Sequence, residues 1–318
     1  MKILIAGELN VDLVLQNPQS FPIPGRETLV ENVSLTLGSS SAICAAALMK
    51  LAEQVTFVGK VGCDAWGDFC VQAVQGFGVD CSLVKRDESL TTGITVSITS
   101  ATDRALLTYL GSIASLRADD VRDEDLRTQR HLHVSSFFLQ QALRPGLKSL
   151  LARAHQCGLT TSLDPGFDPD ESWGKDLIDT LCEVDVFLPN EVELAGISGR
   201  NLQVEALRAL DNGRTIIVAK LGRNGCMAIR NGEILTAPAF SVNPVDTTGA
   251  GDTFNAGFLH AWLRGGDLRE AMIFGAACGA LSTLGVGGTS NQPTSEQARE
   301  FIAGHSRSAA HHEAGATI

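Results

Sequence analysis

Positive charge is in short supply in this chain, with 25 Lys and Arg against 36 Asp and Glu and a formal net charge of −11. No run of Lys and Arg breaks the deficit. An acidic surface repels phosphate backbones and anionic lipid, which argues against a nucleic-acid partner and a membrane-surface role. Metal-ligand and disulfide patterns are missing too: the eight cysteines show no C-x-x-C pair and no nearby Cys/His spacing, as expected of scattered buried thiols. The N-terminal MKILIAGE has an apolar stretch too short for a signal-peptide core, interrupted at Glu8, and the expected location is the cytoplasm. One uncharged stretch, Ala271–Ser295, has the length of a membrane span. Its Gly, Ser, Thr, Asn and Gln content instead suits a buried, closely packed helix and loop. G-x-x-x-x-G-K-[ST], a G-x-G-x-x-G after the first strand, G-x-S-x-G and H-E-x-x-H are all absent. Phosphate-loop, dinucleotide-binding, hydrolase and zinc-protease chemistries therefore lack their physical core.

What is present is a chain of 318 residues, 44% hydrophobic with 32 glycines, the composition of an ordered, turn-rich globular protein. It can bury a large core without disulfides. Short β-like runs at Lys2–Ala6, Val55–Val58, His131–Ser135, Leu159–Leu163, Val184–Leu188 and Thr215–Ala219 alternate with helical patterns. The helical patterns lie at Ser41–Leu51, Gly67–Phe77, Arg144–Cys157, Lys175–Cys182 and Val204–Asp211. That alternation predicts a mostly parallel sheet with helices on both faces. No repeat or linker divides it, so a single domain is expected over 1–304, with the small, polar, aperiodic segment 305–318 as a flexible tail. Thr92–Thr99 and Ala105–Leu110 break the rhythm as two Thr-rich strands around Ser100–Arg104, either a lid hairpin or an edge hairpin of the main sheet.

Ligands of open α/β sheets bind at the carboxyl ends of the strands. Those ends here carry Asn10 and Asp12, Gly59 and Lys60, Ser135 and Ser136, Asp164, Asn190, and Lys220 with Gly222. The densest chemistry is in Val245–Leu259, VDTTGAGDTFNAGFL, where Gly249, Ala250 and Gly251 lead into a helical pattern. Free amides at a helix start, approached closely because side chains are absent, cradle an anion that the helix dipole favours. Asp252, in the first turn, can reach an atom held there and accept the proton of a hydroxyl attacking a phosphoryl group. The structural alternative is an N-terminal helix acid beside glycines that allow tight packing. Asn190 and Glu193 likewise form either a capping box or a metal-ordering pair.

Asp246–Leu259 resembles, at every defining position, the C-terminal signature of the ribokinase-like (PfkB) carbohydrate kinases, D-T-x-G-A-G-D-x-F-x-A-G. The resemblance extends over about Lys2 to Phe301, through GELNVD, FVGKVGCDAWG, TGITVSI, DRALLTYLG, PNEVE and KLGRNG. It implies an α/β protein, a ribokinase-like three-layer α/β/α sandwich with a small β-strand lid whose strands fall within 10–36 and 91–111. The implied activity is transfer of the γ-phosphoryl group of ATP to a hydroxymethyl group of a sugar or related polyol. By the same resemblance Asp252 is the general base, and the amides of Gly249, Ala250, Gly251 and Asp252 stabilise the transferring group. Asn190 and Glu193 order Mg2+ and the phosphates, the metal partly through water. Lys220, Gly222 and Gly225 contact ATP, with Arg223 a second cation nearby. Asn10 and Asp12 hold the acceptor with Gly38 and Ser39, and Asp246 with the loop Gly285–Ser290 resembles a K+ site. Family members often dimerise through the lid, so a homodimer is compatible.

The departures fall on acceptor positions. Ser39 replaces the second of two adjacent glycines, Ile43 replaces an Asn, and Phe137 and Phe138 stand where many members carry a sugar-reading side chain. Asp164-Pro165-Gly166 lacks the Asn and Arg that often follow this Asp. A nucleoside acceptor is the alternative within kinases, and it would need a stacking wall that an aromatic content of 5%, with Tyr109 the sole tyrosine, hardly supplies. A catalytically silent sugar- or nucleotide-binding sensor is the alternative outside them.

Overall fold

The computed structural model describes residues 1–99 and 104–315. Residues 100–103, within the turn expected at Ser100–Arg104, and 316–318, the end of the expected tail, lie outside the described residues. The chain begins with β1 (Lys2–Ala6), β2 (Asn10–Pro18), β3 (Val30–Leu37), α1 (Ser40–Lys50), β4 (Gln54–Gly62), α2 (Ala65–Gly76) and β5 (Asp80–Asp87). The hairpin β6 (Gly93–Thr99) and β7 (Arg104–Tyr109) and the short α3 (Asp123–Arg127) follow. Next come β8 (His131–Val134), α4 (Arg144–Gln156), β9 (Thr160–Leu163), α5 (Lys175–Thr180), β10 (Val186–Phe187), α6 (Glu191–Ser198) and α7 (Gln203–Leu210). The chain closes with β11 (Ile216–Lys220), β12 (Cys226–Arg230), β13 (Glu233–Ala237), α8 (Ala250–Leu263), α9 (Leu268–Ser282) and α10 (Ser295–Gly315).

Nine strands form the main sheet in the order β13-β12-β11-β10-β9-β8-β1-β4-β5. All neighbours from β5 to β11 pair parallel, and β12 and β13 add antiparallel. Strand periodicity sorts the core onto two faces. Ile3 and Ile5 pack with α1, α8 and α9, whereas Leu4 and Ala6 pack with α4, α5 and α7. The result is the three-layer sandwich. Close packing of α8 on α9 explains the uncharged stretch: a Cβ on Gly257 would come 2.8 Å from Cys278, and one on Gly275 3.0 Å from the Phe254 carbonyl. No helix among the described residues is long and apolar enough to cross a membrane.

The Thr-rich hairpin is not an edge of the main sheet. It joins β2 and β3 in a separate four-stranded sheet, β3-β2-β6-β7. Register places Asp12, Thr95 and Thr108 in one row on one face, and Leu13, Leu35, Val96 and Leu107 in the adjacent row on the other. Helix α10 runs on to Gly315. Two sequence expectations need correction. Cys63 and Cys182 are exposed, so not all the thiols are buried. The helical pattern at Lys175–Cys182 ends as α-helix at Thr180 and finishes in a 3-10 turn.

Candidate active site

The strand order reverses at β1, which has β4 on one side and β8 on the other, and the crevice beyond such a reversal is where open α/β sheets bind ligands. Helix α8 begins at this edge. Its N-cap Gly249 has φ 72°, the left-handed region, and a Cβ there would come 2.7 Å from Gly288 and 2.9 Å from Ile43. Only glycine meets both demands. The amide of Ala250 donates to the Thr247 carbonyl at 3.2 Å, so the open part of the cradle is carried by the residues around it. Burial and the charge of Asp164 push the Asp252 carboxyl up to about 8, opposed by Lys220.

Asp252 shares a cleft of about 220 Å3 with Asn10, Asp12, Ser39, Thr248 and Gly249. Asn10 donates to Asp12 Oδ1 at 3.0 Å, and Gly38 lies flat against this pair, where a Cβ would overlap Asp12. Ser39 has φ 75°, a conformation that favours glycine, so the substitution noted in the sequence carries backbone strain. Its hydroxyl is spent on the Glu8 carbonyl and the Ala42 amide. Ile43 lines the cleft beside Asp252. Phe137 and Phe138 are core residues, 1% and 4% exposed, with the Arg144 guanidinium over both rings. They do not line the cleft.

On the other side of Asp252, strand ends β10 and β11 set Asn190 beside Lys220 in an isolated bridge. Asn190 and Glu193 form a complete capping box: the Asn190 amide and side chain donate to the two Glu193 oxygens at 2.8 and 2.7 Å, and Asn190 Oδ1 accepts from the Glu193 amide at 2.9 Å. Glu193 is 5% exposed, and burial with the charge of Asp164 pushes its carboxyl up to about 7. Lys220 is largely enclosed, its side chain 12% exposed. Its ammonium bonds Asp164 at 2.6 Å and Asn255 at 3.2 Å, and it lies beneath Gly251. Gly222 and Gly225 have φ 53° and 85°, and a Cβ on Gly225 would overlap the Ala237 carbonyl. Arg223 between them is exposed. The Asp246 carboxylate ties the expected cation loop, accepting from Thr248 and from the Gly287 amide at 2.8 Å. No cluster of three or more His, Cys, Asp or Glu suited to a metal occurs among the described residues.

Sequence reasoning missed Glu8, Asn255 and the buried histidines. Glu8 is a buried acid two residues past the apolar β1, where the sequence shows only a break in an apolar run. Asn255 donates to Asp164 at 2.5 Å, a pairing across 91 residues. His131 and His133 share Ser162 and are held neutral by burial, so they belong to the sheet interior rather than to a ligand set.

Residues 1–295 match the pfkB family of carbohydrate kinases. An ATP-dependent ribose-1-phosphate kinase of Halopiger xanaduensis is 29% identical over 304 residues, covering 95% of this chain and 98% of that protein. The ribokinase of Haemophilus influenzae is 27% identical over 307 residues, covering 94% and 97%. The solved ribokinase of Thermotoga maritima superposes with a TM-score of 0.81 at 25% identity, covering 95% of this chain and 99% of that one. A left-handed glycine opening α8, a carboxylate in its first turn and a cleft at the strand reversal thus accompany a match over almost the whole chain. The chain belongs to the pfkB family of carbohydrate kinases.

Proposed function

We propose that the chain transfers the γ-phosphoryl group of ATP to a hydroxymethyl group of a sugar or sugar-like polyol, with Asp252 as general base. The observation that carries this is the position of Asp252, between the α8 N-terminus and a cleft it shares with Asn10 and Asp12. In the transfer, Asp252 takes the proton of the acceptor hydroxyl as its oxygen bonds to the γ-phosphorus. The bond to the β-phosphate oxygen breaks and ADP leaves. The Gly249 and Gly251 amides and the helix dipole stabilise the charge on the phosphoryl oxygens, with the Ala250 amide turned to Thr247, and positioning accounts for most of the rest. Asn190, Gly222 and Gly225 border the nucleotide, while Lys220 acts from below the cradle. Asn10 and Asp12 accept and donate to acceptor hydroxyls, with Gly38 and Ser39 shaping the wall.

Each Glu193 oxygen accepts one bond from Asn190 and keeps a lone pair, a hard-oxygen set suited to the water ligands of Mg2+. When bound, Mg2+ neutralises phosphate charge. The cleft walls include Val14, Ile43, Leu106, Ile113 and Leu139 but no aromatic ring among the described residues, which disfavours a stacked nucleobase. An ADP-release screen with ATP, Mg2+ and pentoses, hexoses, sugar acids and nucleosides tests the assignment. Turnover is expected with at least one sugar and at less than about 1% of that rate with nucleosides, a discrimination within reach of binding contacts. ADP release indifferent to every sugar would sink it.

The lid also supports a homodimer. Val33, Leu35, Leu107 and Tyr109 leave the outer face exposed at 57, 38, 59 and 55%. Such a patch favours association with a second copy. Wild-type protein is expected to elute at twice the monomer mass, and Leu107→Asp at the monomer mass; a monomeric wild type at micromolar concentration rejects this interface.

A further inference from the structure

We propose that the acceptor cleft selects uncharged polyols over phosphorylated or carboxylated sugars, and that Glu8 is a specificity-determining residue of that cleft. This deepens the carbohydrate-kinase function proposed above and rests on it. Similarity alone leaves acceptor charge open, because a relative at 29% identity is a ribose-1-phosphate kinase.

The cleft is lined by the acids Glu8, Asp12 and Asp252 and by no Lys, Arg or His among the described residues. Lys220, beside Gly251, is committed to Asp164. The lid closes the cleft with the hydroxyls of Thr95, Ser97 and Thr108 and with Leu106. A phosphate or carboxylate entering here would lose water, find no counter-charge and meet carboxyl groups instead. Sugar hydroxyls, in contrast, donate to carboxyl oxygens and exchange bonds with the threonines and serine.

Glu8 is built into this wall. It is 3% exposed at the strand reversal. Its carboxyl accepts from the Ser41 amide at 3.2 Å, the Ser41 hydroxyl at 2.6 Å and the Ser136 hydroxyl at 2.9 Å. Two of the serines that grip this residue, Ser39 and Ser136, have φ 75° and 56°. Strained non-glycine backbone persists where the surroundings over-determine it, and such positions cluster at ligand sites. Gly7 permits the approach, since a Cβ there would overlap the Ser41 side chain.

The test compares kcat/KM for matched pairs, ribose with ribose 1-phosphate and glucose with gluconate, in wild type and in Glu8→Gln. Gln keeps the shape, accepts from the Ser41 amide and donates to the Ser41 hydroxyl. The neutral member of the better pair is expected to lead by about 100-fold or more in wild type. In Glu8→Gln the lead is expected to shrink at least about tenfold, because the amide puts an N–H donor where a carboxyl oxygen stood in the wall, with the neutral rate also reduced. A charged sugar within about tenfold of its neutral partner in wild type overturns the selectivity, and this holds even if the variant fails to fold. An unchanged ratio in a folded variant overturns the role of Glu8. Absence of turnover with every sugar removes the proposed function and this inference together, whereas turnover of the phosphorylated sugar within about tenfold of its neutral partner removes the inference alone.

Discussion

Asp252→Asn is expected to lower kcat by about 10²–10⁴-fold, the usual cost of losing a general base, while the KM for ATP changes by no more than a few-fold. Asn preserves the shape of the side chain at the first turn of α8 and cannot take a proton. A variant keeping more than about a tenth of the wild-type rate rules out Asp252 as the base. The pH profile supplies a second check. With the carboxyl at about 8 in the free enzyme, the ionised form is scarce below that pH. Acceptor kcat/KM should therefore rise about tenfold per pH unit below about 8 and level above it, and the Asn variant should lose this limb. Stability moves the other way. The folded carboxyl holds its proton while the unfolded one, near its ordinary value, releases it; the folded state thus binds more protons between those two pH values. Wild-type stability falls as pH rises through that window. Asn removes the effect, so ligand-free Asp252→Asn should melt above wild type at pH 8 by ~2 °C or more, with the gap closing toward pH 4. A lower melting temperature for the variant at pH 8 would mean that Asp252 is not held in a desolvated, acid-facing position.

The parts of this enzyme that were legible from the sequence are those whose signal is local. Buried parallel strands such as β1 and β9 are short apolar or β-branched runs, and each matches an expected element within a residue or two. The α8 start was legible because two glycines precede an acid there, and the first of them, Gly249, takes a left-handed conformation that few other residues tolerate. The Asn190–Glu193 pair was legible as a capping box, and it forms one. Elements without such signals escaped. Strand β5, DCSLVKRD, lies at the sheet edge and alternates exposed charges with few buried residues, so neither its run nor its period marks it. Strands β12 and β13 form an antiparallel edge that the βα rhythm does not anticipate. Partnerships over long separations escaped as well. Lys220 looks like a free cation after a strand, and nothing near it in sequence discloses Asp164, 56 residues away. Glu8 looks like an interruption of an apolar run until β8 brings Ser136 to it across 128 residues.

Lys220→Met is expected to cost ~3–5 kcal/mol of stability, the usual consequence of removing one partner of a buried ion pair. The ammonium and the Asp164 carboxylate are only 12% and 7% exposed, so water cannot replace the lost partner. Asp164 would keep the Asn255 amide and the Gly166 N–H, which hold its orientation without neutralising its charge. In wild type, Lys220 and these donors hold the Asp164 carboxyl below its ordinary value despite burial. Without the lysine, burial dominates and the carboxyl moves above it. The penalty therefore depends on pH: it is largest where Asp164 must be ionised and shrinks as acid allows protonation. The melting temperature should fall by roughly 6–15 °C at pH 8 and by clearly less at pH 5. Adding Asp164→Asn to Lys220→Met should restore much of the loss at pH 8, because the unpaired charge is then gone. A fall of less than about 2 °C at pH 8, or a double variant no more stable than the single one, would show that the pair is not a buried charge couple. Activity should suffer separately from stability. Lys220 opposes the upward push on Asp252 and lies beneath Gly251, so its loss leaves Asp252 more protonated at neutral pH and removes an ammonium from beside the start of α8. The acid limb of acceptor kcat/KM should accordingly move to higher pH in Lys220→Met, and adding Asp164→Asn should move it back, since the charge of Asp164 adds to burial in pushing Asp252 upward.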